Sequence, residues 1–181
     1  ATLAFSTIAN NDKVGVIFFS DKIEKYIPAQ KGKTHVLHII RELLSFEPNS
    51  KGTDMAQALQ YFANAQKRHC TAFLISDFIG AGAVDKPLLI ASNRHEVNAI
   101  QIYDRREAEL PNIGLVKFHD AESNSNLWID TSLATIRNNY AQAWKQNQDS
   151  LEQLFTRTGV KHVSVRTDED YVKALMHLFR C

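Results

Sequence analysis

Cysteine, phosphate-binding glycine patterns, long apolar runs and an excess of either charge are all missing from this 181-residue chain or nearly so. Its two cysteines, Cys70 and Cys181, stand far apart, one before an apolar run and the other at the last position. A structural disulfide is not expected from such a pair, and a reducing cytoplasmic setting suits it better. No Cys/His spacing fits zinc. There is no Gly-x-Gly-x-x-Gly and no phosphate-loop pattern, which argues against nucleotide binding. There is no Gly-x-Ser-x-Gly elbow, which weakens a serine-hydrolase reading. The longest apolar runs, Val14–Phe19 and residues 72–75, are far too short to cross a bilayer, and no signal-peptide pattern is read. With 21 Lys+Arg against 20 Asp+Glu, the net charge of +1 makes no general electrostatic case for nucleic acid or membrane binding.

What is present suits one soluble α/β domain over residues 1–181. A 44% hydrophobic content can bury a core in a chain of this length, and no repeat, linker or low-complexity tract divides it. Residues 1–9 read as a helix with no capping residue, so the chain is expected to begin inside a helix, as a fragment would. Val14–Phe19 is a continuous apolar run suited to a strand covered on both faces. Residues 23–27 alternate and stop at Pro28, the pattern of an antiparallel edge strand.

Residues 34–46 predict an amphipathic helix with Val36, Leu37, Ile39, Ile40, Leu43 and Leu44 inward. A second helix is expected over 54–67, then a buried strand at Thr71–Ser76, a helix over 87–95 and a strand over 97–103. A hairpin insertion is expected at about 115–130, with its turn at 120–126. A long helix over 132–156 follows, with Leu133, Ile136, Tyr140, Ala143, Trp144, Leu151, Leu154 and Phe155 at helical spacing. A short strand at 163–165 precedes a capping box, Thr167-Asp168-Glu169-Asp170, opening a last helix that buries Val172, Leu175, Met176 and Phe179. Alternating strands and helices predict a doubly wound, mostly parallel sheet flanked by helices.

Two segments carry the chemistry. Gly52-Thr53-Asp54 precedes a helix, and Leu74-Ile75-Ser76-Asp77 ends a buried strand, so a hydroxyl and a carboxylate stand at the carboxyl edge of the sheet. That edge is where open α/β folds bind ligands, and hard cations such as Mg²⁺ favour oxygen donors of this kind. Each residue also has a plain reading: Thr53 as a helix N-cap, Asp77 as a solvated strand-end turn residue. Asp54 reads as a first-turn carboxylate favoured by the helix dipole, or as a further ligand. Ser76 supports the site or bonds locally. Asp12 and Asp21 read as turn residues, and His35 and His38 as helix-surface side chains. Lys67-Arg68-His69 reads as a solvated helix end, and Arg105 to Glu109 as a surface loop. After Asp77 come Phe78-Ile79-Gly80, with no second acid two residues on, which weakens a phosphotransferase reading.

The tract Leu3-Ala4-Phe5, Asn11-Asp12-Lys13-Val14-Gly15 and Phe18-Phe19-Ser20-Asp21, together with Gly52-Thr53-Asp54 and Leu74-Ile75-Ser76-Asp77-Phe78, resembles a von Willebrand factor A-type domain. Ile23-Glu24-Lys25-Tyr26-Ile27-Pro28, His35-Val36-Leu37 with Arg41-Glu42-Leu43, and Thr167 to Asp170 narrow the resemblance. They point to a bacterial group of unknown function whose genes commonly neighbour MoxR-type AAA+ ATPases. The resemblance implies a non-enzymatic protein-interaction module with a metal-ion-dependent adhesion site. Thr53 and Asp77 match its threonine and aspartate around Mg²⁺. It also implies an Asp-x-Ser-x-Ser segment on a central strand before Ala1, so weak or absent Mg²⁺ binding is expected of this chain alone. The strands Val14–Phe19 and Thr71–Ser76 would then pair directly, recruit another chain into an oligomer, or be poorly ordered. The partner implied is a protein, a MoxR-type AAA+ ATPase, with no nucleic acid and no membrane segment. A metal-dependent hydrolase using Asp54 and Asp77, with a base such as His119 brought in from a distance, and a metal-free scaffold are the alternatives.

Overall fold

The computed structural model describes residues 1–50, 52–80, 82–119 and 126–180. In chain order the elements are α1 (Thr2–Ala9), β1 (Val14–Phe19), β2 (Ile23–Gln30), α2 (Lys33–Ser45), α3 (Met55–Ala65), β3 (Thr71–Ser76) and α4 (Asp85–Arg94). Then come β4 (Glu96–Tyr103), α5 (Arg105–Ala108), β5 (Leu115–His119), β6 (Asn126–Asp130), α6 (Ala134–Thr158), β7 (Lys161–Arg166) and α7 (Tyr171–Arg180). The last residue, Cys181, lies outside the described residues, as do the predicted hairpin turn and the side chains of His119 and Phe179.

Three strands pair in parallel, in the order β3-β4-β7, with helices against both faces. The expected mostly parallel sheet is therefore smaller than the alternation of elements implied. β1 and β2 form a separate antiparallel pair, as do β5 and β6. Among the described residues β1 and β3 do not pair with each other, so one of the outcomes foreseen for them, direct pairing, does not occur. Both nevertheless touch one core. Phe19 of β1 and Ala72 and Leu74 of β3 pack against a cluster built from Met55 and Leu59 of α3, Leu88 and Ala91 of α4, and Leu151, Leu154 and Phe155 of α6. On the opposite face, Leu3 of α1 and Phe73 of β3 pack against Ile100, Val165 and Leu178.

Several local expectations change with tertiary context. β2 does not stop at Pro28 but runs to Gln30, because a register irregularity between Val14 and Val16 accommodates the proline on a strand with one free side. Gly15 sits at that irregularity. A Cβ there would lie 2.8 Å from both the Ala29 nitrogen and the Ile27 oxygen, so only glycine admits this approach.

In α2 only Val36 and Ile39 of the predicted stripe are buried. Leu37, Leu43 and Leu44 are exposed, the last at 85%. In α6 the buried residues gather in the last two turns, while Leu133 is half exposed and Ala143 exposed. In α7 Val172 and Met176 are also about half exposed, and the capping box does not form. Asp170 accepts from Val172 N at 2.9 Å, while Thr167 donates its hydroxyl to Asp104 at 3.1 Å. The region expected as a surface loop, Arg105 to Glu109, contains α5, capped by Asp104. Gly159 ends α6 in the left-handed conformation.

Candidate functional site

The carboxyl ends of β1 and β3 and the amino end of α3 meet at one side of the molecule. Asp54 N donates to the Ser20 carbonyl at 2.8 Å, tying the Thr53–Asp54 turn to the end of β1. Met55, two residues after Thr53, and Phe78, one after Asp77, are both buried in the cluster that Phe19 also touches. The turns at 20–21 and 52–54 are thus tied to each other, and all three loops, at 20–21, 52–54 and 77–80, adjoin residues of a single core.

Asp77 is exposed at the tip of β3, as expected. One carboxylate oxygen accepts from Ile79 N at 3.0 Å, an Asx turn that leaves the other oxygen without a protein partner among the described residues. Ser76 bonds locally: its Oγ accepts from Phe78 N at 3.0 Å. Phe78 adopts φ 59°, unusual for an aromatic residue and found here immediately after the candidate ligand. The side chain that offsets this backbone cost is the same one: its ring is 2% exposed and meets Phe155 edge-on at 5.3 Å.

Thr53 is also exposed, but it is not the helix cap. Asp54 is: its Oδ1 accepts from Gln57 N at 2.9 Å. The plain reading of Thr53 as a cap therefore fails, and Asp54 stands one place earlier than the first-turn position expected of it. Replacing Asp54 by alanine is expected to cost about 1 kcal/mol in urea unfolding. Thr53→Ala is expected to stay within about 0.5 kcal/mol of the parent. The reverse order would show that Thr53, not Asp54, holds the helix start.

Residues not singled out from the sequence support this edge. Gln101, in the middle of β4 and 3% exposed, donates to the Asp77 carbonyl at 3.4 Å and accepts from Ser164 at 2.8 Å. A glutamine between Ile100 and Ile102 in β4 was the available signal. Ser20, Glu24 and Asn49 were not foreseen. Ser20 Oγ donates to Glu24 at 2.7 Å, and Asn49 donates to the other Glu24 oxygen at 2.9 Å. The hydrogen bonds from Asn49 and then Ser20 hold the Glu24 carboxyl below its usual range. Asn49 lies 25 residues from Glu24, so no local pattern announces the pair. Asp21 lies against Gly52.

Carboxylates therefore surround the edge. Among the described residues, however, no group of three His, Cys, Asp or Glu is close enough to hold a metal ion. Thr53 and Asp77 offer hard oxygen donors of the type Mg²⁺ accepts, but a cation that takes about six oxygens is not enclosed by these two residues. The other histidines serve elsewhere. His35 bonds the Val14 carbonyl through Nε2 at 2.9 Å, joining α2 to β1, and His38 faces Glu42. A surface depression runs beside Phe78, Gly80 and Val84 along Asn147 and Leu151 of α6, open to solvent, and neither Thr53 nor Asp77 lines it. No helix among the described residues is long and apolar enough to cross a membrane.

Comparison with known proteins gives the chain its place. It is 28% identical over 176 residues to an uncharacterized protein of Mycobacterium tuberculosis, covering 95% of this chain and 55% of the relative. It is 28% identical over 158 residues to an uncharacterized protein of Mycobacterium avium, covering 85% of this chain and 92% of that one. The chain spans about half the length of the Mycobacterium tuberculosis relative. Two solved structures share its fold at 15% identity, each over 99% of this chain and 86% of the other. One is the conserved hypothetical protein BatB of Bacteroides thetaiotaomicron, at a TM-score of 0.56. The other is an aerotolerance-related membrane protein of Bacteroides fragilis, at 0.57. A family described as "Protein of unknown function DUF58" matches residues 1–150, and the chain belongs to that family.

Proposed function

We propose that this chain is the larger part of a von Willebrand factor A-type, non-enzymatic protein-interaction domain, with Thr53 and Asp77 as two ligands of a Mg²⁺-dependent adhesion site. One observation carries the reading: Phe19, Met55 and Phe78, which adjoin the three carboxyl-edge loops, pack in one core, while among the described residues β1 and β3 do not pair with each other. An additional strand between them, with an Asp-x-Ser-x-Ser segment at its end, would complete both the sheet and the ligand shell.

Bound there, Mg²⁺ would neutralise the edge carboxylate and bridge it to an acidic group on a partner protein. Asp77 would be oriented by Ile79 N and Gln101, and Thr53 by the Asp54–Ser20 bond. The partner proposed is a MoxR-type AAA+ ATPase, on the resemblance of the sequence motifs, and the setting the cytoplasm, on the two widely separated cysteines. The absence of catalysis is part of the proposal. Asp54, the second acid a hydrolase would need, has one carboxylate oxygen committed to capping α3.

The test is a calorimetric Mg²⁺ titration of a longer form of the protein that carries such an Asp-x-Ser-x-Ser segment, beside its Asp77→Ala and Thr53→Ala variants. Binding that Asp77→Ala abolishes and Thr53→Ala weakens at least tenfold is the expected result. Binding indifferent to both, or none, would leave a metal-free scaffold.

A further inference from the structure

At the opposite edge of the parallel sheet lies a group the candidate site does not use. His95 joins α4 to β4 and is 3% exposed. Its Nδ1 lies 3.7 Å from Cys70 Sγ. Its Nε2 is buried and has no hydrogen-bond partner among the described residues. The ring packs on Phe62 of α3, with centroids 4.7 Å apart, and on His69 at 6.4 Å. Arg94, the preceding residue, donates to the Ala63 carbonyl at 3.5 Å and so staples the end of α4 to α3. The charged or titratable groups around the ring are thus His69 and Cys70 from the segment joining α3 to β3, and Arg94 from α4. Lys67 and Arg68 are exposed on the same segment. The adjacent carboxylate, Glu96, is exposed and takes a hydrogen bond from Thr71 Oγ1 at 3.0 Å.

We propose that this cluster is an acid-sensitive latch: neutral His95 holds residues 66–70 against α3 and α4, and its protonation releases that segment from the sheet. A neutral imidazole fits a site made of a sulfur, an aromatic ring and the neighbouring Arg94. An imidazolium there would bury a charge and two N–H donors with no anion to receive them. The ring face of Phe62 returns only a small part of the lost hydration. The least costly relief is local, since residues 67–69 are already exposed and their departure gives the ring water.

Burial, followed by His69 and Arg94, pushes the His95 pKa below its ordinary 6.5. The sign follows from linkage. Above about pH 6.5 the imidazole is neutral in both states and the contribution is fully present. As pH falls below that value the opened chain takes up the proton first, so stability is lost toward the folded pKa. The latch stands apart from the candidate Mg²⁺ site and survives the failure of that reading.

The test is amide hydrogen exchange of the full chain at pH 7.5 and 5.5, corrected for intrinsic rates, with NMR titration of the His95 ring. Several-fold faster opening of residues 66–71 at pH 5.5 is expected, together with a His95 midpoint below that of free imidazole side chains. His95→Phe should remove the pH dependence. Should that variant fail to fold, Arg94→Gln carries the test, because losing the cation should raise the His95 midpoint. Equal opening at both pH values, a midpoint at or above the ordinary one, an unchanged response in His95→Phe, or no shift in Arg94→Gln would overturn the proposal.

Discussion

Phe155→Ala is expected to lower stability by about 3–5 kcal/mol, as for other large aromatic truncations in a closed core. Phe155 is 1% exposed near the end of α6. It meets Phe78 edge-on at 5.3 Å and His162 at 4.9 Å, and it belongs to the cluster that joins α3, α4, α6 and β4. Removing the ring takes away its own burial and the edge-on partner of Phe78. The latter matters more here than in most cores, because the burial of Phe78 is what offsets its φ of 59°. A domain of this size should lose roughly 6–20 °C in thermal midpoint, at about 2–4 °C per kcal/mol. Faster amide exchange at Phe78 and Ile79 than at β7 would show the cavity reaching the candidate site. A drop of under about 1 kcal/mol would mean that the α6 end is not part of the cooperative core. The milder Phe155→Leu keeps most of the volume and should cost clearly less.

Gly15→Ala should destabilise even though alanine in a strand is ordinarily the better residue by about 0.5–1 kcal/mol. The added methyl would lie 2.8 Å from the Ala29 nitrogen and 2.8 Å from the Ile27 oxygen. Both contacts are backbone, so no side chain can rotate away. Relief requires β1 and β2 to separate at the irregularity between Val14 and Val16. An overpacking cost of about 1–3 kcal/mol outweighs the propensity gain. Urea denaturation is the measurement: a fall in midpoint with an unchanged slope is expected. Equal or greater stability in the alanine variant would show that the two strands are not held at this distance.

The residues readable in advance share a property: their signals are local. The apolar run of β1, the strand ending in Asp77 and the spacing of Leu151, Leu154 and Phe155 each sit within one element. Those elements appear within a few residues of where periodicity puts them. Burial did not follow from periodicity in the same way. Leu37, Leu43 and Leu44 belong to the same stripe as Val36 and Ile39, yet they are exposed, because burial needs a second surface and an amphipathic pattern names no partner. The capping residues were likewise undecided. Thr53 and Thr167 have the chemistry of caps, but Asp54 and Asp170 take the role. In both cases a carboxylate one or more places later reaches the free amides, and the chain path sets which side chain does so.

From its own residues the sequence determined the α/β class, the order of strands and helices apart from α5, and the presence of Thr53 and Asp77 beside element ends. These follow from periodicity and from turn chemistry within short windows. Only the tertiary structure decided that β1 and β3 stay unpaired with each other while sharing one core, and that Gln101 and Phe78 position Asp77. It alone sealed His95 between Phe62, Cys70 and Arg94, with its Nε2 unmatched among the described residues. Each of these joins residues tens of positions apart, and a contact of that kind depends on which surfaces close over which. A local pattern carries no record of that choice.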